Sequence, residues 1–285
     1  MIATPRIAEV RKLLDEARAE GKRVGFVPTM GALHEGHRSL IRRAAAETDF
    51  VVVSIFVNPT QFGANEDLSK YPRTFADDLD ACKAEGTHLV FHPDADEIYP
   101  EPSRTQIDVE GLTERMEGEF RPGHFGGVAL VCAKLFNIVG ACTAYFGEKD
   151  AQQLRVVRRM VQDLSMPVEI VPCPTVRDAD GLALSSRNRY LDLEQRRRAL
   201  ALPRALRAIA DAIGNGETDA RRLQAAGRDV LEAADLDAID YLEVVNPDTL
   251  EPIERVTGTV LVLGTVRLGS TRLLDNVLVE MGDAK

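Results

Sequence analysis

The sequence predicts an α/β protein: a helix-covered parallel sheet over residues 1–175, then a smaller C-terminal α+β domain over 176–285. Three observations lead there. Short β-branched runs at 23–27, 50–57, 88–91, 143–146 and 168–171 alternate with longer amphipathic stretches, the pattern of parallel strands joined by crossover helices. After about residue 176 the order changes to two helical stretches followed by three apolar or alternating runs, which suit antiparallel strands. No internal repeat or low-complexity linker interrupts the chain.

The elements follow in order. Thr4 as a cap and Pro5 at the first helical position open a helix. Ile7, Val10, Leu13, Leu14 and Ala17 continue it at helical spacing, and Gly21 ends it. The strand at 23–27 runs into a glycine-bearing loop, 28–36, and a helix at 37–48. The strand at 50–57 ends at Asn58-Pro59. Helices at 75–85, 127–139 and 150–164 lead to strands at 88–91, 143–146 and 168–171. In the second domain 193–213 reads as helical, with Pro203 kinking or restarting it, and 220–234 as a further helix. Strands at 239–245, 259–266 and 273–279 complete the domain.

Composition narrows the function classes. Hydrophobic residues at 45% supply a real core and exclude general disorder. A net charge of -10 repels a nucleic-acid backbone, although a few local donors suffice for a nucleotide. The four cysteines, Cys82, Cys132, Cys142 and Cys173, form no C-x-x-C pair and no zinc spacing, so buried reduced thiols are expected. Charged residues at 6, 9, 11 and 12 break any apolar signal core, and the apolar run at 50–57 is too short to span a bilayer. A cytoplasmic protein without membrane or nucleic-acid partners is expected.

Four loops carry the chemistry. The first is Pro28-Thr29-Met30-Gly31-Ala32-Leu33-His34-Glu35-Gly36-His37, between a strand and a helix. In an open α/β sheet that turn lies at the carboxyl edge, where ligands bind, and open amides with the helix dipole there favour an anion. His34 and His37 stand three apart, on one side of a starting helix, so both imidazoles suit a phosphate whose charge grows in a transition state. A pair of surface or metal-binding histidines is the plainer reading, but the local sequence supplies no further metal ligands. The second loop, 58–63, reaches the same edge with Gln61, whose amide can donate and accept; a simple Asn-Pro turn is its plain reading.

The third loop contains Gly147, Glu148, Lys149 and Asp150, with Gln153 one turn on. Lys149 offers a point charge for phosphate and Asp150 a helix cap. The fourth, 183–188, holds Leu184, Ser185, Ser186 and Arg187, where two hydroxyls and a guanidinium could clamp a polyphosphate; a capping serine pair is the ordinary alternative. Asp77, Asp78 and Asp80 read as a solvated acidic helix, and Arg196, Arg197 and Arg198 as a solvated helix face.

H-x-G-H between strand and helix matches the signature of Rossmann-like adenylyl-transferring proteins, which include class I aminoacyl-tRNA synthetases. The wider set P-T-M-G-A-L-H-E-G-H, V-S-I-F-V-N-P-T-Q-F, F-R-P-G-H-F, F-G-E-K-D-A-Q-Q and L-S-S-R-N-R-Y-L, from about Arg23 to Asn276, resembles the pantoate–β-alanine ligase family. The resemblance implies a Rossmann-like domain with a smaller lid domain. It implies adenylation of pantoate by ATP with Mg2+, then attack by β-alanine to give pantothenate, AMP and pyrophosphate, in a cytoplasmic homodimer.

The same resemblance places ATP against residues 30–37, 147–150, Val176 and 184–187, with His34 and His37 on the phosphates and Lys149 pairing one of them. His37 is the family's proton donor; charge stabilisation alone would serve the same step. Ser185, Ser186 and Arg187 join the catalytic set. Gln61 and Gln153, with Pro28 and Met30, would hold pantoate and β-alanine, and 117–127 would form a gate with Arg121 near phosphate. No magnesium ligand is assigned. The family commonly has Met where Leu184 stands, a nearly volume-conserving exchange. Two other readings follow from the same loops: a nucleotidyltransferase that releases its adenylated product, and a nucleotide-binding regulator.

Overall fold

A computed structural model of the chain describes residues 1–63, 68–101 and 104–281. It divides into two compact units: Met1–Glu148 with Gln153–Val176, and Lys149–Gln152 with the chain from Arg177 onward.

The first unit is built from β1 (Ile2–Thr4), α1 (Ile7–Ala19), β2 (Val24–Thr29), α2 (Glu35–Glu47), β3 (Phe50–Ile55), α3 (Phe75–Ala84), β4 (Leu89–Phe91), α4 (Ala95–Ile98), α5 (Glu117–Phe120), α6 (His124–Val139), β5 (Cys142–Gly147), α7 (Ala151–Asp163) and β6 (Val168–Cys173). The sheet is parallel in the order β1-β4-β3-β2-β5-β6. Successive strands run outward from β2 to one side, then resume at β5 on its other flank. The gap between β2 and β5 is therefore the point where strand order reverses, the place for a ligand in an open parallel sheet. Alternation along β2 serves both faces. Val27 packs with Leu40, Ile41 and Ala44 of α2 and Cys82 of α3. Phe26 meets Phe136 of α6 edge-on, with ring centroids 6.3 Å apart.

Two local expectations are corrected here. Thr4 does not cap α1. Residues Ile2, Ala3 and Thr4 pair with Leu89, Val90 and Phe91 as an edge strand, and the first helix starts from an extended Arg6 without a side-chain cap. The Thr4 hydroxyl instead donates to Glu9 at 2.5 Å and accepts the Arg6 amide at 3.1 Å. The helix expected at 37 begins at Glu35, because His34 itself occupies the cap position.

The second unit contains α8 (Leu193–Ala199), α9 (Ala201–Gly214), α10 (Ala220–Glu232), β7 (Ala238–Val245), β8 (Thr259–Leu268) and β9 (Thr271–Glu280). Its sheet is antiparallel, in the order β7-β8-β9. Leu202, Leu206, Ile209 and Ile213 of α9, with Leu223 and Leu231 of α10, pack on Leu242, Val244, Val262 and Val266. Pro203 restarts the helix: the break falls at Leu200, leaving the proline in the first turn of α9, where no intrahelical donor is required.

The arginine run is not simply a solvated face. Arg196 donates to Asp180 at 2.9 Å and Asp178 at 2.6 Å, and Arg198 to Asp237 at 3.1 Å. Only Arg197, with 79% side-chain exposure, fits the expectation. These pairs follow because α8 brings its arginines against acidic turns of the same unit.

Candidate active site

Three strand ends of the first unit reach the carboxyl edge side by side. β2 delivers the histidine loop, β3 the turn at 58–61, and β5 the segment from Gly147. The histidine loop is closed on itself. Thr29 Oγ1 accepts the Gly31 amide at 3.2 Å and donates to the Ser54 carbonyl at 2.7 Å. Gly31 has φ 80° and Ala32 φ 50°, both left-handed, so the chain doubles back before α2. The Ala32 and Leu33 amides go to the two carboxylate oxygens of Asp78, at 3.0 and 2.7 Å. His34 Nδ1 accepts the Gly36 amide at 3.2 Å, and His37 Nδ1 accepts the His34 amide at 3.4 Å.

Those bonds correct one expectation. The amides of residues 31–34 and 36 are not open to an anion; each is held inside the loop or by Asp78. What the loop presents is imidazole. A ring whose Nδ1 accepts an amide carries its proton on Nε2 when neutral, so both histidines are set as Nε2–H donors. Their centroids lie 4.1 Å apart. Each Nδ1 is thus engaged by a backbone amide of the same loop. Glu35 is exposed and faces Arg42 at 3.1 Å.

The orientation of Gln61 is dictated from the backbone outward. Asn58 Oδ1 accepts the Thr60 amide at 3.3 Å, and its Nδ2 donates to the Gly127 carbonyl at 3.2 Å. A backbone donor and a backbone acceptor thus fix which end of the Asn58 amide is which. Asn58 Nδ2 also donates to Gln61 Oε1 at 3.0 Å, which turns Gln61 Nε2 toward Met30 Sδ at 3.1 Å. Thioether sulfur is a weak acceptor, so a ligand oxygen could replace it at little cost. Tyr99 donates to Asn58 Oδ1 at 3.0 Å, and burial raises the pKa of its hydroxyl, keeping it a donor. A Cβ on Gly127 would come within 2.3 Å of the Thr60 carbonyl, so the start of α6 can approach this turn only as glycine.

The segment expected to act as a gate is tied to the same turn. His124 Nδ1 donates to the Gln61 carbonyl at 2.9 Å, which leaves its Nε2 to accept from Arg121 at 3.0 Å. Arg121 also approaches Glu117 at 3.9 Å. Cys173, at the end of β6, is buried, and burial raises its pKa against the opposing pull of Arg43.

Of the remaining predicted residues, Pro28 is the half-buried penultimate residue of β2, Gly147 ends β5, and Glu148, Lys149 and Asp150 form one tight turn before α7. Gln153 lies in α7 and Val176 just beyond β6, both half-buried. Lys149 Nζ is 3.7 Å from Asp150, and its carbonyl accepts from Asn276 at 2.8 Å within the second unit. In that unit Leu184 precedes Ser185, whose Oγ caps a short turn over Ser186–Tyr190 by accepting the Arg187 amide at 3.3 Å. The capping role weighed for this serine pair is real for Ser185. Sequence reasoning assigns no site role to Asn58, Asp78, Tyr99 or His124. For Asp78 a signal existed: it shares the inner stripe of α3 with Leu79 and Cys82, so it is no member of a solvated acidic helix, though Asp77 and Asp80 are exposed.

The chain is similar to known proteins along nearly its whole length. The chain matches the family described as Pantoate-beta-alanine ligase over residues 3–278. It is 49% identical to the pantothenate synthetase of Caldicellulosiruptor saccharolyticus, covering 99% of this chain and 100% of that one. With the pantothenate synthetase of Acidobacterium capsulatum the identity is 53%, over 96% and 95% of the two chains. The crystal structure of pantothenate synthetase from Thermus thermophilus superposes with a TM-score of 0.92 at 47% identity, covering 97% of this chain and 99% of that one. The pantoate–β-alanine ligase of Francisella tularensis, solved with β,γ-ATP and β-alanine, gives 0.81 at 31% identity, over 98% and 97%. Matched over residues 3–278 by the model of that family, the chain belongs to the pantoate–β-alanine ligase family.

Proposed function

We propose that the chain is an ATP-dependent ligase that condenses pantoate with β-alanine through pantoyl adenylate, yielding pantothenate, AMP and pyrophosphate. The observation that carries this reading is the histidine loop: two imidazoles locked as Nε2–H donors where strand order reverses.

The pantoate carboxylate attacks the α-phosphorus of ATP, and the bond to pyrophosphate breaks. His34 and His37 stabilise the charge that grows on the phosphate oxygens without surrendering a proton. Adenylation converts an unreactive carboxylate into an ester with a good leaving group. The β-alanine amine then attacks the acyl carbon, AMP departs and the amine nitrogen loses a proton. Gln61, aimed by Asn58, donates to pantoate in exchange for Met30 Sδ, and Gln153 and Pro28 complete that subsite. Contacts to ATP are assigned to residues 30–37, Gly147, Glu148, Lys149, Asp150, Val176 and Leu184, with Lys149, Ser185, Ser186 and Arg187 as phosphate ligands.

Magnesium enters as part of the MgATP substrate. Among the described residues no group of three or more His, Cys, Asp or Glu side chains could hold a metal ion, and Mg2+ is commonly held through substrate phosphates. A cytoplasmic homodimer is the assembly we assign from the family likeness. Among the described residues no helix is long and apolar enough to cross a membrane.

An AMP-release assay omitting ATP, pantoate or β-alanine in turn tests the reading. AMP should form only when all three are present. Release of pyrophosphate and an adenylated product without any need for the amine would instead make the chain a nucleotidyltransferase.

A further inference from the structure

Asp78 is 2% exposed, yet it is an acid on a helix outside the four chemistry-bearing loops. Its Oδ2 accepts the Ala32 amide at 3.0 Å and its Oδ1 the Leu33 amide at 2.7 Å, while Thr74 Oγ1 donates to Oδ1 at 3.3 Å. Two adjacent amides converging on one anion form the kind of concavity that in other strand-to-helix loops receives a substrate phosphate. Here the anion is the protein's own, reaching back 46 residues. It holds Ala32 at φ 50°, a conformation a residue with a side chain rarely adopts unaided. A Cβ on Gly31 would lie 3.0 Å from the same Oδ2, so the loop and the carboxylate are fitted closely.

We propose that Asp78 is the positioning residue of the histidine loop: by filling the concavity over the Ala32 and Leu33 amides it sets the turn that presents His34 and His37, and it leaves the imidazoles as the loop's phosphate donors. The inference rests on the ligase reading above for its catalytic consequence. Asp78 touches no reacting atom; it acts through the rings. Both its oxygens already accept from the loop or from Thr74, so a magnesium ion at this carboxylate would have to share it with those bonds.

Asp78→Asn, nearly isosteric, tests this in the full chain. Its amide end opposes one loop N–H, and the expected result is about a 30-fold fall in the rate of pantoate-dependent ATP–pyrophosphate exchange, with little change in the KM for β-alanine in the complete AMP-releasing reaction. In a background carrying both His34→Ala and His37→Ala the same substitution should cost less than about threefold, because the rings it positions are gone. Full additivity would mark Asp78 as a general stability residue and overturn the proposal. The half-saturating Mg2+ concentration should stay unchanged; a tenfold rise would make Asp78 a metal ligand and overturn it equally.

Long-range 1H–15N spectra of the rings give a readout independent of turnover. The wild-type chain should show both histidines as Nε2–H tautomers, and Asp78→Asn should average them. Unchanged ring signals would overturn the proposal even if the chain proved to have another activity, whereas loss of AMP release in the wild type alone would sink only the ligase reading. Should Asp78→Asn fail to fold, Gly31→Ala presses on the same carboxylate from the loop side and must shift the same ring signals.

Discussion

The histidine loop at 28–37 and the serine–arginine loop at 183–188 offer the same kind of chemistry from sequence, but they are held in different ways. The first is pinned from far along the chain, by Asp78 on α3, and the neighbouring turn at 58–61 is likewise pinned by Gly127 and Tyr99. For the second, the bonds seen among the described residues include local ones: Ser185 to Arg187 at 3.3 Å, and Asn188 to the Ala183 carbonyl at 3.0 Å. A bond that closes a long stretch of chain is lost only when the domain opens, while a local one can open by itself. The first loop thus has the character of a pre-set template, and the second that of a segment able to settle onto a ligand.

The largest expected effect is on the template. His37→Ala removes a donor aimed at developing charge, and Lys149→Ala a point charge; each should lower pantoate-dependent pyrophosphate exchange by about 100- to 1000-fold with little change in thermal unfolding. Near-normal turnover in both would remove the phosphate roles altogether. Next comes the second distant tie. Asn58→Ala frees the Gln61 amide to flip and removes the side-chain tie to the Gly127 carbonyl, so the KM for pantoate should rise about tenfold, measured by AMP release at saturating ATP and β-alanine. An unchanged KM would break the argument that orientation passes from backbone through Asn58 to Gln61.

What the sequence made legible divides along the same line. The β-branched runs at 50–55 and 168–171 and the amphipathic helices announce themselves because their signal lies within a few residues. The strand at Ile2–Thr4 does not, since three residues carry no periodicity and gain their structure only from pairing with Leu89–Phe91. That the histidines and Gln61 would stand at strand ends could be read from the order of runs and turns. The groups that aim them could not, because Asp78, Tyr99 and Gly127 reach them across the fold. Even the state of the loop amides, taken from sequence as open to an anion, depends on a carboxylate 46 residues away.

A smaller effect belongs to the locally held loop. Ser185→Ala removes the cap accepting the Arg187 amide, and should cost at most about 1 kcal/mol in stability. Its turnover should fall about tenfold, well short of His37→Ala, if its hydroxyl also meets phosphate. A loss as large as that of His37→Ala would put the two loops on equal terms and undo the distinction between template and adaptable segment.

The smallest effect comes from His88, whose Nδ1, like those of His34 and His37, accepts a backbone amide, here at the opposite edge of the sheet. Its Nδ1 accepts the Val51 amide at 3.1 Å and its ring stacks on Phe50, with centroids 5.1 Å apart. Partial burial, with the positive charges of Lys22 and the N-terminus, lowers its pKa from 6.5. The unfolded chain therefore binds this proton first as pH falls. The stability contributed by His88 is fully present above pH 6.5, declines as pH drops below that value, and levels off once the folded ring is protonated too. Chemical denaturation between pH 8 and pH 5 should show this decline in the wild type and a shallower one in His88→Gln, while AMP release at pH 8 is the same for both. Loss of turnover in His88→Gln would mean that an imidazole accepting an amide shapes this sheet wherever it stands, and the special status of the histidine loop would have to rest on its place at the carboxyl edge alone.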